Sequence, residues 1–157
     1  MPIVLARVDD RLIHGQVTVG WGMKFHPDLV VVVSDEIANA EWESDLCLAA
    51  LPHKVTGMVV RTRDAARVLT TMANDPRRIF VLFESPKDAF TVIEAGAPIE
   101  TLNIGGMHSV KGKREVLDYI YLDEADARDL KNIRNLGISL DFRDVPERDG
   151  VDVMSRL

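Results

Sequence analysis

Short apolar runs alternate along the chain with longer segments of mixed polarity. Such runs are typical of strands that are buried on both faces, and the segments between them suit surface helices. The run from Leu29 to Val33 has no polar residue and indicates the centre of a sheet. The pattern therefore predicts an α/β fold, an open and mostly parallel seven-stranded sheet with helices on both faces. We expect the strands at residues 3–8, 29–33, 56–60, 79–83, 101–104, 119–122 and 139–142.

Capping and helix-breaking residues mark the limits of the predicted helices. Proline and glycine do not continue a helix, which predicts helix ends at Pro52, Gly96 and Gly137 and at the turn 74–76. Thr62 and Asp123 are candidate N-caps, because their side-chain oxygens can accept a free backbone N–H. We expect helices from Gly15 onward and at 38–51, 62–73, 86–95 and 124–135, with a short helix in the tail.

Length and charge limit the classes of protein to consider. A chain of 157 residues is predicted to form one domain, residues 1–157. Its 25 acidic and 19 basic residues give a net charge of −6, which disfavours nucleic acid as a partner. No apolar run approaches the roughly 20 residues that span a bilayer, and the N-terminus has no signal pattern. We therefore expect a cytoplasmic chain without direct membrane insertion.

Polar residues follow several of the predicted strands. In an open parallel sheet, ligands bind beyond the carboxyl ends of the strands, so these loops are expected to converge on one cleft. The residues concerned are Asp9, Asp10, Arg11 and His14 after the first strand, Ser34 and Asp35 after the second, Glu84 after the fourth, and Gly105, Gly106, Met107 and His108 after the fifth.

His14 lies where a predicted strand gives way to a helix. The backbone N–H groups of Gly15 and Gln16 and the helix dipole favour a bound anion there. A neutral imidazole is also a nucleophile toward phosphorus, and Arg11 supplies a charge that can pair with phosphoryl oxygens. The alternative is that the histidine only caps the helix.

The acidic residues and the paired glycines need separate interpretations. A carboxylate repels a phosphoryl group, so Asp9, Asp10 and Asp35 are predicted to orient the imidazole or Arg11, with a turn-capping role as the alternative for Asp10. Gly105 and Gly106 permit close approach of the backbone to a bulky group, or form a tight turn with positive φ.

No metal or cofactor is predicted. His26, His53 and His108 share no metal-type spacing with one another or with the single cysteine, Cys47. His108 follows the paired glycines, which makes it a candidate neighbour of His14.

The segment from Arg11 to Val17, preceded by two aspartates, resembles the phosphorylation-site signature of IIB components of the mannose/fructose/sorbose family of the bacterial phosphoenolpyruvate-dependent sugar phosphotransferase system. The resemblance extends from Leu5 to about Phe142. It includes the segments 30–36, 81–83 and 103–107 and the Gly112-Lys113 pair.

This resemblance implies a function and a set of partners. His14 would accept a phosphoryl group on Nδ1 from a phosphohistidine of a IIA component and pass it to a sugar carried by membrane IIC and IID components. The protein would then work at the inner face of the membrane through these partners. Two alternatives remain open, a regulatory phosphocarrier without sugar transport and, more weakly, an α/β module that binds a small ligand without covalent chemistry.

Overall fold

The computed structural model describes residues 2–157 and contains a six-stranded parallel sheet. In chain order the strands are β1 (Ile3–Asp9), β2 (Leu29–Val33), β3 (Thr56–Val60), β4 (Ile79–Phe83), β5 (Thr101–Gly106), β6 (Arg114–Leu117), β7 (Ile120–Leu122) and β8 (Ser139–Phe142). The spatial order in the sheet is β3-β2-β4-β1-β5-β8. The predicted α/β class with a parallel sheet is confirmed.

The predicted count of seven strands in the sheet is wrong. The segment predicted at 119–122 does form a strand, β7, but β7 pairs antiparallel with β6 in a separate two-stranded sheet. Only Asp118 and Tyr119 separate these two strands. A connection this short closes a hairpin, whereas a place beside a parallel neighbour requires a long crossover.

Helices cover both faces of the sheet. The first is a π-helix at Gln16–Trp21 that continues into α1 (Gly22–Phe25). The others are α2 (Asp35–Ala38), α3 (Glu41–Leu48), α4 (Thr62–Thr71), α5 (Pro86–Glu94), α6 (Glu124–Asn135) and a 3-10 turn at Met154–Arg156.

Two details of the helix prediction need correction. The segment 38–51 is not one helix, because Ala40 has extended backbone and separates α2 from α3. Thr62 is not an N-cap, since Arg61 occupies that position in α4 and the Thr62 N–H donates to the Asp35 carboxylate at 2.8 Å. Asp123 is confirmed as the N-cap of α6, where its side chain accepts the N–H of Asp126 at 2.8 Å.

Two hydrophobic clusters lie on opposite faces of the sheet. Val30 and Val32 of β2 face a cluster that includes Val17 and Trp21 from the first helix. Val31 and Val33 face the larger cluster, which is built with α4, α5 and α6. Burial on both faces explains why β2 is continuously apolar.

The pairing of the central strands sets the surroundings of β1. Val8 pairs with Phe83 of β4 on one side and with Ile104 of β5 on the other, and Asp9 pairs with Gly106. The loops after β1 and β5 therefore lie side by side. Within residues 2–157, no helix has the length and apolar character needed to cross a bilayer.

Candidate functional site

The carboxylate of Asp9, at the end of β1, is fully buried and forms the centre of the site. Its Oδ2 accepts hydrogen bonds from Arg7 Nη2 at 2.8 Å and from His14 Nε2 at 2.9 Å. Its Oδ1 accepts from the backbone N–H and from Nε of Arg11, at 3.0 and 3.2 Å. Every hydrogen bond to this carboxylate thus comes from a group that favours its ionised form.

Two opposing effects act on the pKa of Asp9. Burial raises the pKa, because it disfavours a charge, but the hydrogen bonds from His14 and Arg11 and the charge of Arg7 outweigh burial and hold the pKa well below its ordinary value. Asp9 is therefore ionised at neutral pH.

An ionised Asp9 selects the tautomer of the neutral His14 ring. A carboxylate can only accept hydrogen bonds, so Nε2 of His14 must carry the proton and Nδ1 keeps its lone pair. The backbone N–H of Gln16 is 3.4 Å from Nδ1, which is a long contact, and 16% of the side chain is exposed. The ring is held on one side and presents a nucleophilic nitrogen on the other.

Arg7 is a component of the site that we did not predict from the sequence. Its side chain is fully buried, and Nη1 donates to the Asn103 side-chain oxygen at 2.7 Å and to the Asp144 carbonyl at 3.1 Å. The guanidinium carbon lies 5.7 Å from the centre of the Trp21 ring. The sequence does single out Arg7, because it is the only charged residue from Ile3 to Val8. It is also two positions from Asp9, so the two side chains lie on the same face of the strand.

The paired glycines make room for these side chains. A Cβ at Gly105 would overlap the guanidinium of Arg7, and a Cβ at Gly106 would lie 3.0 Å from Arg11 Nη2 and from both oxygens of Asp9. Neither glycine has positive φ, because both belong to β5. The close approach is therefore the correct interpretation, and the tight turn is wrong.

Arg11 and Gln16 form the solvent-facing side of the site. Nη2 of Arg11 donates to the Gln16 side-chain oxygen at 2.8 Å, and the Arg11 side chain is 36% exposed. Gly15 precedes the π-helix, and a Cβ at that position would meet nothing within 4 Å. The Arg11 guanidinium is thus anchored on Asp9 and accessible to solvent.

Asp10 holds His108 instead of His14. Its Oδ1 is 2.6 Å from Nδ1 of His108, and its Oδ2 accepts the backbone N–H of the same residue at 2.8 Å. Met107 is buried and donates its N–H to the Tyr119 carbonyl at 3.0 Å.

The loops after β2 and β4 form a separate group. The Ser34 hydroxyl donates to Glu84 at 3.2 Å and accepts the N–H of Ile37, and Asp35 accepts from Thr62. Within residues 2–157, no hydrogen bond or ion pair joins Ser34, Asp35 or Glu84 to His14. The structure therefore brings together the predicted residues after β1 and β5, whereas the other three make their hydrogen bonds away from the imidazole.

A depression of about 180 Å³ lies between the loops that follow β1 and β5. Its lining includes Arg11 and Gln16 from the loop after β1 and Gly106, Met107 and His108 from the end of β5 and the loop that follows. Ser109, Asp118, Tyr119 and Tyr121 complete it.

Comparison with known proteins supports one family throughout the chain. The family model "PTS system sorbose subfamily IIB component" matches residues 3–157. The chain is 35% identical over 146 residues to the fructose-specific EIIB component of Bacillus subtilis (strain 168), covering 93% of this chain and 90% of that protein. It is 35% identical over 160 residues to the mannose-specific EIIAB component of Escherichia coli (strain K12), covering 100% of this chain and 50% of that protein.

Comparison with solved structures leads to the same family. The crystal structure of the IIBSor domain of the sorbose permease from Klebsiella pneumoniae superposes with a TM-score of 0.90 at 34% identity, covering 99% of this chain and 96% of that one. The fold, the match along the sequence and the structural likeness lead to one conclusion: this chain belongs to the sorbose subfamily of phosphotransferase-system IIB components.

Proposed function

We propose that His14 is a phosphoryl carrier that accepts the group on Nδ1 from a phosphohistidine of a IIA component and passes it to a sugar during uptake. Membership of the IIB family implies phosphoryl transfer in sugar uptake. The observation that carries the assignment to His14 is the hydrogen bond between its Nε2 and the buried carboxylate of Asp9, which in the neutral ring leaves the lone pair on Nδ1.

The charges around the imidazole suit a phosphoryl group. The carboxylate of Asp9 contacts Nε2, on the far side of the ring from Nδ1, so that it orients the ring and stabilises positive charge on it. The guanidinium of Arg11 is the exposed positive charge nearest in sequence and shares Asp9 with His14. Arg11 and the N–H of Gln16 would neutralise the phosphoryl oxygens as the group moves between two imidazoles in line.

The relatives support the proposed IIA, IIC and IID partners. The mannose-specific EIIAB component of Escherichia coli is named for both a IIA and a IIB part, and this chain covers 50% of it. We infer that a separate or linked IIA component supplies the phosphoryl group to this chain. Membrane IIC and IID components would present the sugar.

Labelling with radioactive phosphate tests the carrier. The chain is incubated with labelled phosphoenolpyruvate, the two general phosphotransferase proteins and a IIA component, and the bound label is tested for stability in acid and base. We expect an acid-labile, base-stable phosphoryl group on the unaltered chain and none on His14→Ala. His53→Gln is the matched control, because His53 is exposed on the loop before β3 and should leave labelling unchanged. Labelling of His14→Ala would refute the assignment.

A further inference from the structure

His108 and Asp10 form a second aspartate–histidine pair next to the pair formed by His14 and Asp9. Both carboxylate oxygens of Asp10 hold His108, one through Nδ1 at 2.6 Å and the other through the backbone N–H at 2.8 Å. Asp10 thereby fixes both the loop and the ring. In the neutral imidazole Nδ1 carries the proton, because the carboxylate only accepts, and Nε2 keeps its lone pair.

The two pairs leave opposite ring nitrogens free. His14 is held through Nε2 and presents Nδ1, whereas His108 is held through Nδ1 and presents Nε2. Across the part of the chain that the structure describes, Nε2 of His108 takes part in no hydrogen bond, and 59% of the side chain is exposed. An oriented imidazole with a free and accessible nitrogen is the usual form of a general base.

The depression connects His108 to His14 through one shared neighbour, Gln16. Gln16 and His108 both line the depression. The N–H of Gln16 also lies 3.4 Å from Nδ1 of His14, so a group bound to that nitrogen adjoins Gln16. Ser109, Asp118 and Tyr121 also line the depression, and their side chains are of types that hydrogen-bond to hydroxyls of a carbohydrate.

We propose that His108 is the general base for transfer from His14 to the acceptor, a hydroxyl of a carbohydrate, and this proposal rests on the proposed function of His14. The hydroxyl oxygen attacks phosphorus, and its proton passes to Nε2 of His108. The O–P bond forms as the P–Nδ1 bond breaks, and the electron pair of that bond returns to Nδ1 of His14. His108 then releases the proton to water. Asp10 is a positioning residue that acts through His108.

A general base is needed in only one of the two transfers that His14 takes part in. When His14 accepts a phosphoryl group from a phosphohistidine, its Nδ1 has no proton to lose, so no base is needed. Transfer to a hydroxyl does release a proton, and a positioned base accelerates such a step by typically 10²–10⁴-fold. Loss of the His108 imidazole should therefore slow transfer from His14 to the hydroxyl and leave acceptance by His14 unchanged.

The experiment measures each half separately for the unaltered chain, His108→Gln, Asp10→Asn and the control His53→Gln. Loading is the rate of labelling by a phosphorylated IIA component. Discharge is the rate at which isolated labelled protein forms sugar phosphate with vesicles that contain IIC and IID components. The sugars are fructose, sorbose, mannose and N-acetylgalactosamine, which are the sugars that name the relatives.

We expect His108→Gln to load within about twofold of the unaltered chain and to discharge at least about 100-fold more slowly. Asp10→Asn should slow discharge in the same direction, and His53→Gln should change neither rate. Normal discharge by His108→Gln, an equal fall in both rates, or discharge of the unaltered chain to none of the sugars would overturn the role of His108. If the unaltered chain is not labelled on His14 at all, the proposed carrier function fails first, and the role of His108 fails with it.

Discussion

Replacing Gly105 by alanine should destabilise the fold by about 3 to 5 kcal/mol. The new Cβ would overlap the guanidinium of Arg7, which is fully buried and bonded to Asp9, to Asn103 and to the Asp144 carbonyl. The guanidinium cannot move aside without leaving the Asp9 carboxylate buried with fewer partners. Breaking a buried ion pair in this way costs more than the about 1 to 3 kcal/mol of simple overpacking.

Two other glycines provide a graded comparison. A Cβ at Gly106 would lie 3.0 Å from Arg11 Nη2 and from both oxygens of the buried Asp9. Shifts of a few tenths of an ångström relieve these contacts without breaking the ion pair, so Gly106→Ala should cost about 1 to 2 kcal/mol. Gly20 lies in the π-helix, where a Cβ would meet Pro146 Cδ at an ordinary 3.7 Å. Gly20→Ala should therefore stabilise the protein by about 0.5 to 1 kcal/mol.

Urea unfolding followed by circular dichroism measures all three variants. With a slope of about 1 to 3 kcal/mol per M, a loss of about 3 kcal/mol lowers the midpoint by about 1 to 3 M. The reasoning is refuted if Gly105→Ala unfolds within about 0.5 kcal/mol of the unaltered chain, or if Gly20→Ala loses as much as Gly105→Ala.

Three further predictions concern the charged residues. Arg11→Lys should slow loading of His14 by about tenfold, because lysine lacks the planar fork, and an unchanged labelling rate would remove Arg11 from the mechanism. Asp9 has a pKa below its ordinary value in the fold, so its stabilising contribution is present above about pH 4 and is lost as the pH falls further. The free energy of unfolding of Asp9→Asn should therefore be lower than that of the unaltered chain at pH 6, with a difference that shrinks toward pH 2; a difference independent of pH would contradict this. Asp123→Ala removes the N-cap of α6 and should cost about 1 kcal/mol in urea unfolding, and no measurable loss would show that the cap is dispensable.

Local patterns account for the parts of the structure that we predicted well. The apolar runs predict all six strands of the main sheet, most clearly β2 and β4, where burial on both faces leaves a continuous signal. His14, Arg11 and Asp9 were found together because one short loop carries them. The hairpin of β6 and β7 was missed, because β6 contains charged residues and has the composition of an exposed segment.

Other parts of the site depend on partners that are distant in the sequence. Proximity along the chain predicts that Asp10 orients His14 or Arg11 or caps a turn, yet Asp10 holds His108, 98 positions away. Arg7 was overlooked because its partners Asn103 and Asp144 are brought to it only by β5 and by the chain after β8. Ser34 and Asp35 follow β2, and the strand order separates them from His14 because β4 lies between β2 and β1. Glu84 follows β4, beside β1, but its carboxylate accepts from Ser34 instead.

The sequence by itself therefore determined the class of fold, the strand-to-helix junction with its histidine, and the resemblance to a IIB component. Only the tertiary structure shows that Nε2 of His14 contacts Asp9, that Arg7, Arg11 and Asp9 fill the space where Gly105 and Gly106 would carry side chains, and that Asp10 contacts His108. The physical reason is that an apolar run or a turn is specified by neighbouring residues. A buried hydrogen bond is specified by the order in which distant strands pair, and no local pattern records that order.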